Sequence, residues 1–93
     1  MITVSVYFFN ILAASAGTKK EAVHTDDGTT ILQLVLALAE RLPASFRSVV
    51  IHDGRLSQYI RIFHNQKLVG QAELERCLAD GDELMLFPAV AGG

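Results

Sequence analysis

The sequence lacks the features that mark most binding and catalytic chemistries. It has one cysteine, Cys77, which excludes an internal disulfide and fits a reducing compartment. Positive charge is not in excess. Eight Lys and Arg stand against ten Asp and Glu, a formal charge of −2, and Arg41, Arg47, Arg55, Arg61 and Arg76 are scattered rather than clustered. A nucleic-acid partner, which calls for a concentrated basic face, is not expected. No long uninterrupted apolar run is present. The apolar start of the chain is broken by Thr3, Ser5 and Asn10 and has no basic residues ahead of it. It reads as a strand rather than an export signal or a membrane span, so a cytoplasmic protein without a membrane partner is expected. His24, His52 and His64 are not joined by carboxylates or the cysteine at a metal-ligand spacing, so no metal is expected. Ser15, Ser45, Ser48 and Ser57 lack a nucleophile-elbow context, and the glycines form no phosphate-binding pattern. Neither an internal repeat nor a low-complexity segment is present.

What is there is enough apolar material for one core. The 93 residues are 51 % hydrophobic and 19 % charged, which fits a single small domain and not a disordered chain. A domain this small leaves little room for an enclosed active site. Residues 2–9 alternate with period two, with Ile2, Val4, Val6 and Phe8 on one side. Phe9 interrupts the polar side, which implies some cover there. A linker at 10–17, with room for a helical turn, leads to a second strand at 19–25 that pairs with the first as a hairpin. Asp26-Asp27-Gly28 is a turn. Thr30 and Gln33 form the Thr-x-x-Gln pattern of a capping box, and Ile31, Leu34, Val35, Leu38 and Leu42 mark the buried stripe of a helix that stops at Pro43.

The segment 43–58 is the least regular, with Val49-Val50-Ile51 suggesting a short edge strand. A strand at 59–64 follows, then a turn at Asn65-Gln66, a short strand from Lys67, a short helical piece over 72–78 holding Cys77 as a packing residue, and the turn Asp80-Gly81-Asp82. The last strand, 84–87, is continuously apolar, as central strands are, and Pro88 ends it. A crossover through the helix places it beside the first strand. The expected fold class is α+β: a mixed sheet with one long helix across one face. The expected boundaries are a domain over 1–88 and a tail over 89–93.

The tail is the informative part. Ala89-Val90-Ala91-Gly92-Gly93 is slim, and extended it reaches about 16 Å. Its last carboxylate has no neighbouring Cβ, so it can enter a slot that side chains would block. Val90 is an exposed hydrophobe unless a partner receives it. Near the tail, Arg61, Phe63, Leu68, Met85 and Phe87 are candidates for an apolar docking face with a charged rim.

The run from Leu78 through Asp80-Gly81-Asp82-Glu83, Leu84-Met85-Leu86-Phe87 and Pro88 to Gly92-Gly93 resembles the end of the small sulfur carriers with a ubiquitin-like β-grasp fold, of the MoaD/ThiS type. These include the small subunit of molybdopterin synthase, the thiamin-pathway carrier and a carrier of one cysteine route, which Pro-Ala-Val-Ala-Gly-Gly also resembles. The resemblance implies a carrier that is not itself an enzyme, or is the non-catalytic small subunit of molybdopterin synthase. Its Gly93 carboxylate would be adenylated with ATP by a ubiquitin-activating-like adenylyltransferase and converted to a thiocarboxylate by a sulfur-donor system. The tail from Pro88, Ala89, Val90, Ala91 and Gly92 would thread into an acceptor synthase. The first expected route is molybdenum or tungsten cofactor biosynthesis through the large subunit of molybdopterin synthase, with no cofactor bound by the carrier itself. Cysteine or thiamin synthesis is the alternative route. A protein modifier or a plain interaction module is the alternative class.

Overall fold

The computed structural model describes residues 1–89. The chain runs β1 (Ile2–Phe8), α1 (Ile11–Ala16), β2 (Lys20–Thr25), α2 (Ile31–Arg41), α3 (Ala44–Val50), β3 (Ile51–His52), β4 (Arg55–Leu56), β5 (Ile60–His64), β6 (Lys67–Leu68), a 3₁₀ turn at Gln71–Glu73, and β7 (Glu83–Pro88). Five strands form one mixed sheet in the order β2-β1-β7-β5-β6, and β3 pairs with β4 as a separate hairpin. β1 is antiparallel to β2 and parallel to β7. The apolar last strand is therefore the central one, beside the first, as its composition implies.

The period-two pattern of β1 sends Val4, Val6 and Phe8 to the side that carries α2, where they meet Leu84 and Leu86 of β7 and Ile60 and Ile62 of β5 in one core. From α2 come Ile31, Leu34, Val35, Leu38 and Ala39. Both halves of the capping box are made. Thr30 Oγ1 accepts from the Gln33 N–H, and Gln33 Oε1 accepts from the Thr30 N–H. Thr30→Ala leaves the Gln33 donor without its side-chain acceptor at the first turn of the main core helix. It is expected to cost about 1 kcal/mol in urea unfolding, within the ~0.5–2 kcal/mol range of such caps.

Four expectations are corrected. Val49 and Val50 lie in α3, not in an edge strand; only Ile51 begins one. Phe46 and Val50, four residues apart, are fully buried on one helical face, and Phe46 meets Phe8 edge to face at 5.6 Å. That packing outweighs the strand preference of the valines. The segment 72–78 is helical only in the 3₁₀ turn. Beyond it, the carbonyls of Leu74 and Arg76 accept from the N–H groups of Leu32 and Ile31, and the Leu78 N–H donates to the Thr29 carbonyl. The donors at the start of α2 that have no partner within the helix thus hold this segment as a turn and a bridge rather than a continued helix. Cys77 is accordingly exposed rather than packed, its thiol 3.6 Å from the Gly28 carbonyl. Finally, Pro88 does not stop β7 but belongs to it. The 10–17 linker does hold a helix, α1, whose Leu12 is buried.

Candidate functional site: the outer sheet face and the exit of the tail

The turn before β7 fixes where that strand runs. Gly81 takes φ +88°, the left-handed region that suits glycine. Around it, Asp80 Oδ1 accepts from the Thr3 N–H at 2.8 Å, and the Gly81 N–H donates to the Thr3 carbonyl at 2.9 Å. Asp82 is shielded, with 14 % of its side chain exposed. Its carboxylate accepts from the Ala79 N–H at 2.8 Å, from His64 Nε2 at 2.7 Å and from Asn65 Nδ2 at 3.1 Å. Partial burial alone would raise the Asp82 pKa. The Ala79, His64 and Asn65 donors outweigh it and hold the carboxyl below its ordinary value.

The consequence for stability has a definite sign. A carboxyl depressed in the folded state contributes stability that is fully present above its unfolded pKa of about 3.9. That contribution is lost as pH falls through the lowered folded value. Asp82→Asn is therefore expected to unfold more easily at pH 7 and to lose less stability than the parent between pH 5 and pH 2. Urea midpoints across that range check it; parallel curves would show that the carboxylate contributes nothing.

At its other end, β7 delivers the chain to the exit of the tail. The Ala89 N–H donates to the Tyr59 carbonyl. The alternation of the antiparallel ladder then turns the Pro88 nitrogen to the opposite side, toward Phe9, the last β1-side residue to bond β7; the Phe9 carbonyl accepts instead from the Leu12 N–H, so no carbonyl there is left without its donor. Proline thus fits inside the strand. Pro88 and Ala89 are half-buried and pinned; Val90, Ala91, Gly92 and Gly93 lie outside the described residues.

The five docking candidates fall on one face, the side of the sheet away from α2. Register sets Arg61 opposite Phe87, Phe63 opposite Met85, and Phe63 opposite Leu68. Phe63, Met85 and Phe87 are half-buried, while Arg61 and Leu68 are exposed. Phe87 packs edge to face on Phe63 at 5.5 Å. Arg61 Nη1 donates to the Gln58 carbonyl at 2.7 Å, and among the described residues no carboxylate pairs with it. The face is larger than those five residues. Phe9 stacks flat on Phe87 at 4.1 Å, which is the cover its place in the sequence implied. Tyr7 lies opposite Met85, and Tyr59 is exposed where Ala89 leaves. The alternation of residues 2–9 already put Tyr7 on this side, and the alternation of 59–64 set Tyr59 with Arg61 and Phe63, opposite Ile60 and Ile62.

Among the described residues no group of three or more His, Cys, Asp or Glu gathers in a way that could hold a metal. His52 and Asp53 lie 3.4 Å apart, both largely exposed on the small hairpin. No helix among the described residues is long and apolar enough to cross a membrane.

A five-stranded mixed sheet with a helix across one face, an apolar opposite face, and a central last strand that leads into Gly-Gly defines a ubiquitin-like β-grasp protein. The ThiS family model matches residues 6–93, and the chain belongs to that family. It is 36 % identical over 85 residues to small archaeal modifier protein 1 of Haloferax volcanii, covering 91 % of this chain and 94 % of that one. The crystal structure of that Haloferax protein superposes with a TM-score of 0.82 at 33 % identity, covering 98 % of this chain and 99 % of the other. A protein of Archaeoglobus fulgidus, provisionally named a sulfur carrier, is 38 % identical over 65 residues, covering 69 % of this chain and 74 % of its own. A chain of the Amycolatopsis orientalis BexX/CysO complex matches with a TM-score of 0.68 at 29 % identity, covering 97 % and 99 %. The protein is thus one of the MoaD/ThiS-like ubiquitin-like sulfur carriers and modifiers.

Proposed function

We propose that the chain is a sulfur carrier whose working group is the carboxylate of Gly93. The observation that supports this most is that the family match runs through the glycine pair to residue 93, while β7 and the Tyr59–Ala89 bond start the tail from a fixed point beside an apolar face. A carboxylate is a poor electrophile because its charge repels nucleophiles. In this reading a ubiquitin-activating-like adenylyltransferase joins Gly93 to the α-phosphate of ATP and releases pyrophosphate. Nucleophilic sulfur from a donor system then attacks the acyl carbon and expels AMP, leaving a thiocarboxylate. In an acceptor synthase that sulfur passes to the substrate and water restores the carboxylate. The partner's pocket supplies orientation and charge stabilisation. This chain supplies a pinned start at Pro88 and Ala89, the narrow run Val90-Ala91-Gly92, and the grip of Arg61, Phe63, Leu68, Met85 and Phe87.

The route we favour is molybdopterin synthesis, with this chain as the small subunit beside the large subunit of molybdopterin synthase, in the cytoplasm. The likeness to a chain of the BexX/CysO complex supports a carrier that works in complex with a partner enzyme. The relative named as a modifier favours a second use of the same activated end: capture by a lysine amine rather than by sulfur.

The test is the intact mass of the protein after incubation with ATP, a sulfur donor and the host's activating enzyme, with fragmentation to locate any change. Exchange of one oxygen for sulfur at Gly93 is the carrier result. An isopeptide bond from Gly93 to lysine, without sulfur, is the modifier result. An unchanged Gly93 beside a converted control carrier would sink both.

A further inference from the structure

β2 is an edge strand, paired only with β1 within the sheet. The bond from the Phe8 N–H to the Lys19 carbonyl sets the phase of that ladder. By the antiparallel alternation, Glu21, Val23 and Thr25 turn their main-chain groups toward β1, while Lys20, Ala22 and His24 turn theirs to the open side. Lys20 is already satisfied there, because Thr18 Oγ1 accepts from its N–H and donates to its carbonyl. At the other end the Asp26 carbonyl accepts from Thr29. Between these stops, no hydrogen bond among the described residues takes the N–H or C=O of Ala22 or His24. Beside this stretch, between β2 and α2, lies a groove of about 200 Å³ bordered by Val23, Leu34, Ala37 and Leu38.

We propose that this open edge is a self-association surface, on which a second copy of the chain pairs its own β2 antiparallel about a two-fold axis at Val23. The charges on the strand select that partner and register. With Val23 opposite Val23 of the second copy, Ala22 falls opposite His24, so each free N–H meets a free C=O. Lys20 falls opposite Asp26, and symmetry repeats that pair. Asp26 has no ion-pair partner among the described residues. The Lys20 ammonium lies on the outer face, 5.2 Å from the Tyr7 ring centroid, with a flexible stem. Moving the register by two residues to centre on Ala22 would set Lys20 against His24 and lose the match. Val23 against Val23 is a non-hydrogen-bonded pair, the closer kind, and it sits beside the groove of each copy. The pairing ends where Thr18 and Thr29 already satisfy the main chain, so the contact is short. It buries less than a standard interface, and association is weak, in the micromolar-to-millimolar range. β2 is the edge farthest from β5 and β6, so the outer-face residues of β5 and β7 and the exit of the tail stay open in the pair.

Sedimentation equilibrium of the full chain over a concentration series tests this. The expected result is a reversible dimer that Lys20→Glu or Asp26→Lys alone weakens roughly tenfold, and that the double exchange restores. Ala22→Pro, which removes one free edge donor, abolishes it. Circular dichroism of each variant separates lost pairing from lost fold, and the charge exchange decides if the proline variant does not fold. A monomer at every concentration up to about 1 mM overturns the proposal, as does a dimer indifferent to both charge reversals. So does a dimer whose double exchange restores nothing. None of these outcomes bears on the state of Gly93.

Discussion

Appending one alanine after Gly93 is expected to abolish adenylation and sulfur loading while leaving the urea midpoint within error of the parent. The two halves of that result have separate physical causes. The folded body ends its described contacts at Ala89, whose N–H is held by Tyr59, and the core lies in the sheet and α2; an extra residue five positions beyond is expected to disturb neither. The reacting group, in contrast, is displaced. One extended residue moves the carboxylate by about 3.5 Å, and a misplacement of about 1 Å already costs on the order of a hundredfold when a partner supplies the orientation. The new end also carries a Cβ beside the carboxylate where the slot is proposed to admit none. Loading is read by intact mass with the activating enzyme, ATP and a sulfur donor. Unimpaired loading of the extended chain, without trimming back to Gly93, would refute a carrier role for this end. A conservative companion, Gly92→Ala, keeps the length and adds only a methyl group. It is expected to bind the activating enzyme and load slowly, which separates the width of the slot from the position of the carboxylate.

The parts of this protein that could be read from its residues are those whose signal is local. The alternation of β1 gave Val4, Val6 and Phe8 their side, because a strand buried on one face must repeat every two residues. Thr30 and Gln33 marked the start of α2, because four unpaired N–H groups at a helix end need acceptors. The unbroken apolar run at 84–87 marked a strand covered on both faces, and the structure shows why: Leu84 and Leu86 meet the core while Met85 and Phe87 join the outer aromatic face. The readings that failed depended on distant partners. Val49 and Val50 prefer strands in isolation, but α3 is decided by Phe46 and Val50 packing into a core built by other elements. The segment 72–78 has a helical composition, yet Leu74, Arg76 and Leu78 are claimed by the main chain at the start of α2. Cys77 is exposed for the same reason. At the site, Arg61, Phe63, Leu68, Met85 and Phe87 could be chosen because alternation and adjacency to the tail are sequence properties. The same alternation set Phe9 and Tyr59 on the outer sides of their strands; their neighbours came only from the order of strands in the sheet, which brings β1 against β7 and the end of β5 against Ala89.

Phe87→Ala is expected to weaken binding to the activating enzyme by about thirtyfold or more, the scale of a central aromatic anchor worth ~2 kcal/mol. Phe87 is the middle of the outer face: it stacks on Phe9, meets Phe63 edge to face, and lies across from Arg61. Removing the ring deletes its own contact area and also frees Phe9 and Phe63, whose rings it holds in place. Part of the effect will appear as lost stability, because Phe87 is half-buried and aromatic pairs contribute about 0.5–1.5 kcal/mol each. Phe87→Leu separates the two. It keeps a bulky apolar side chain on β7 and most of the fold, but loses the flat surface and the ring edge, so its deficit is expected in affinity more than in the urea midpoint. Arg61→Ala is a rim change. It removes a charge that no carboxylate of the described chain engages, so it is expected to slow association and flatten the salt dependence rather than speed dissociation. His52→Ala, on the separate β3–β4 hairpin, serves as the control that leaves binding unchanged. Titration calorimetry with the activating enzyme measures the affinities. Equal affinity of Phe87→Ala and the parent, with both folded, would remove this face from the docking surface. Recognition would then rest on the tail and on surfaces outside this face.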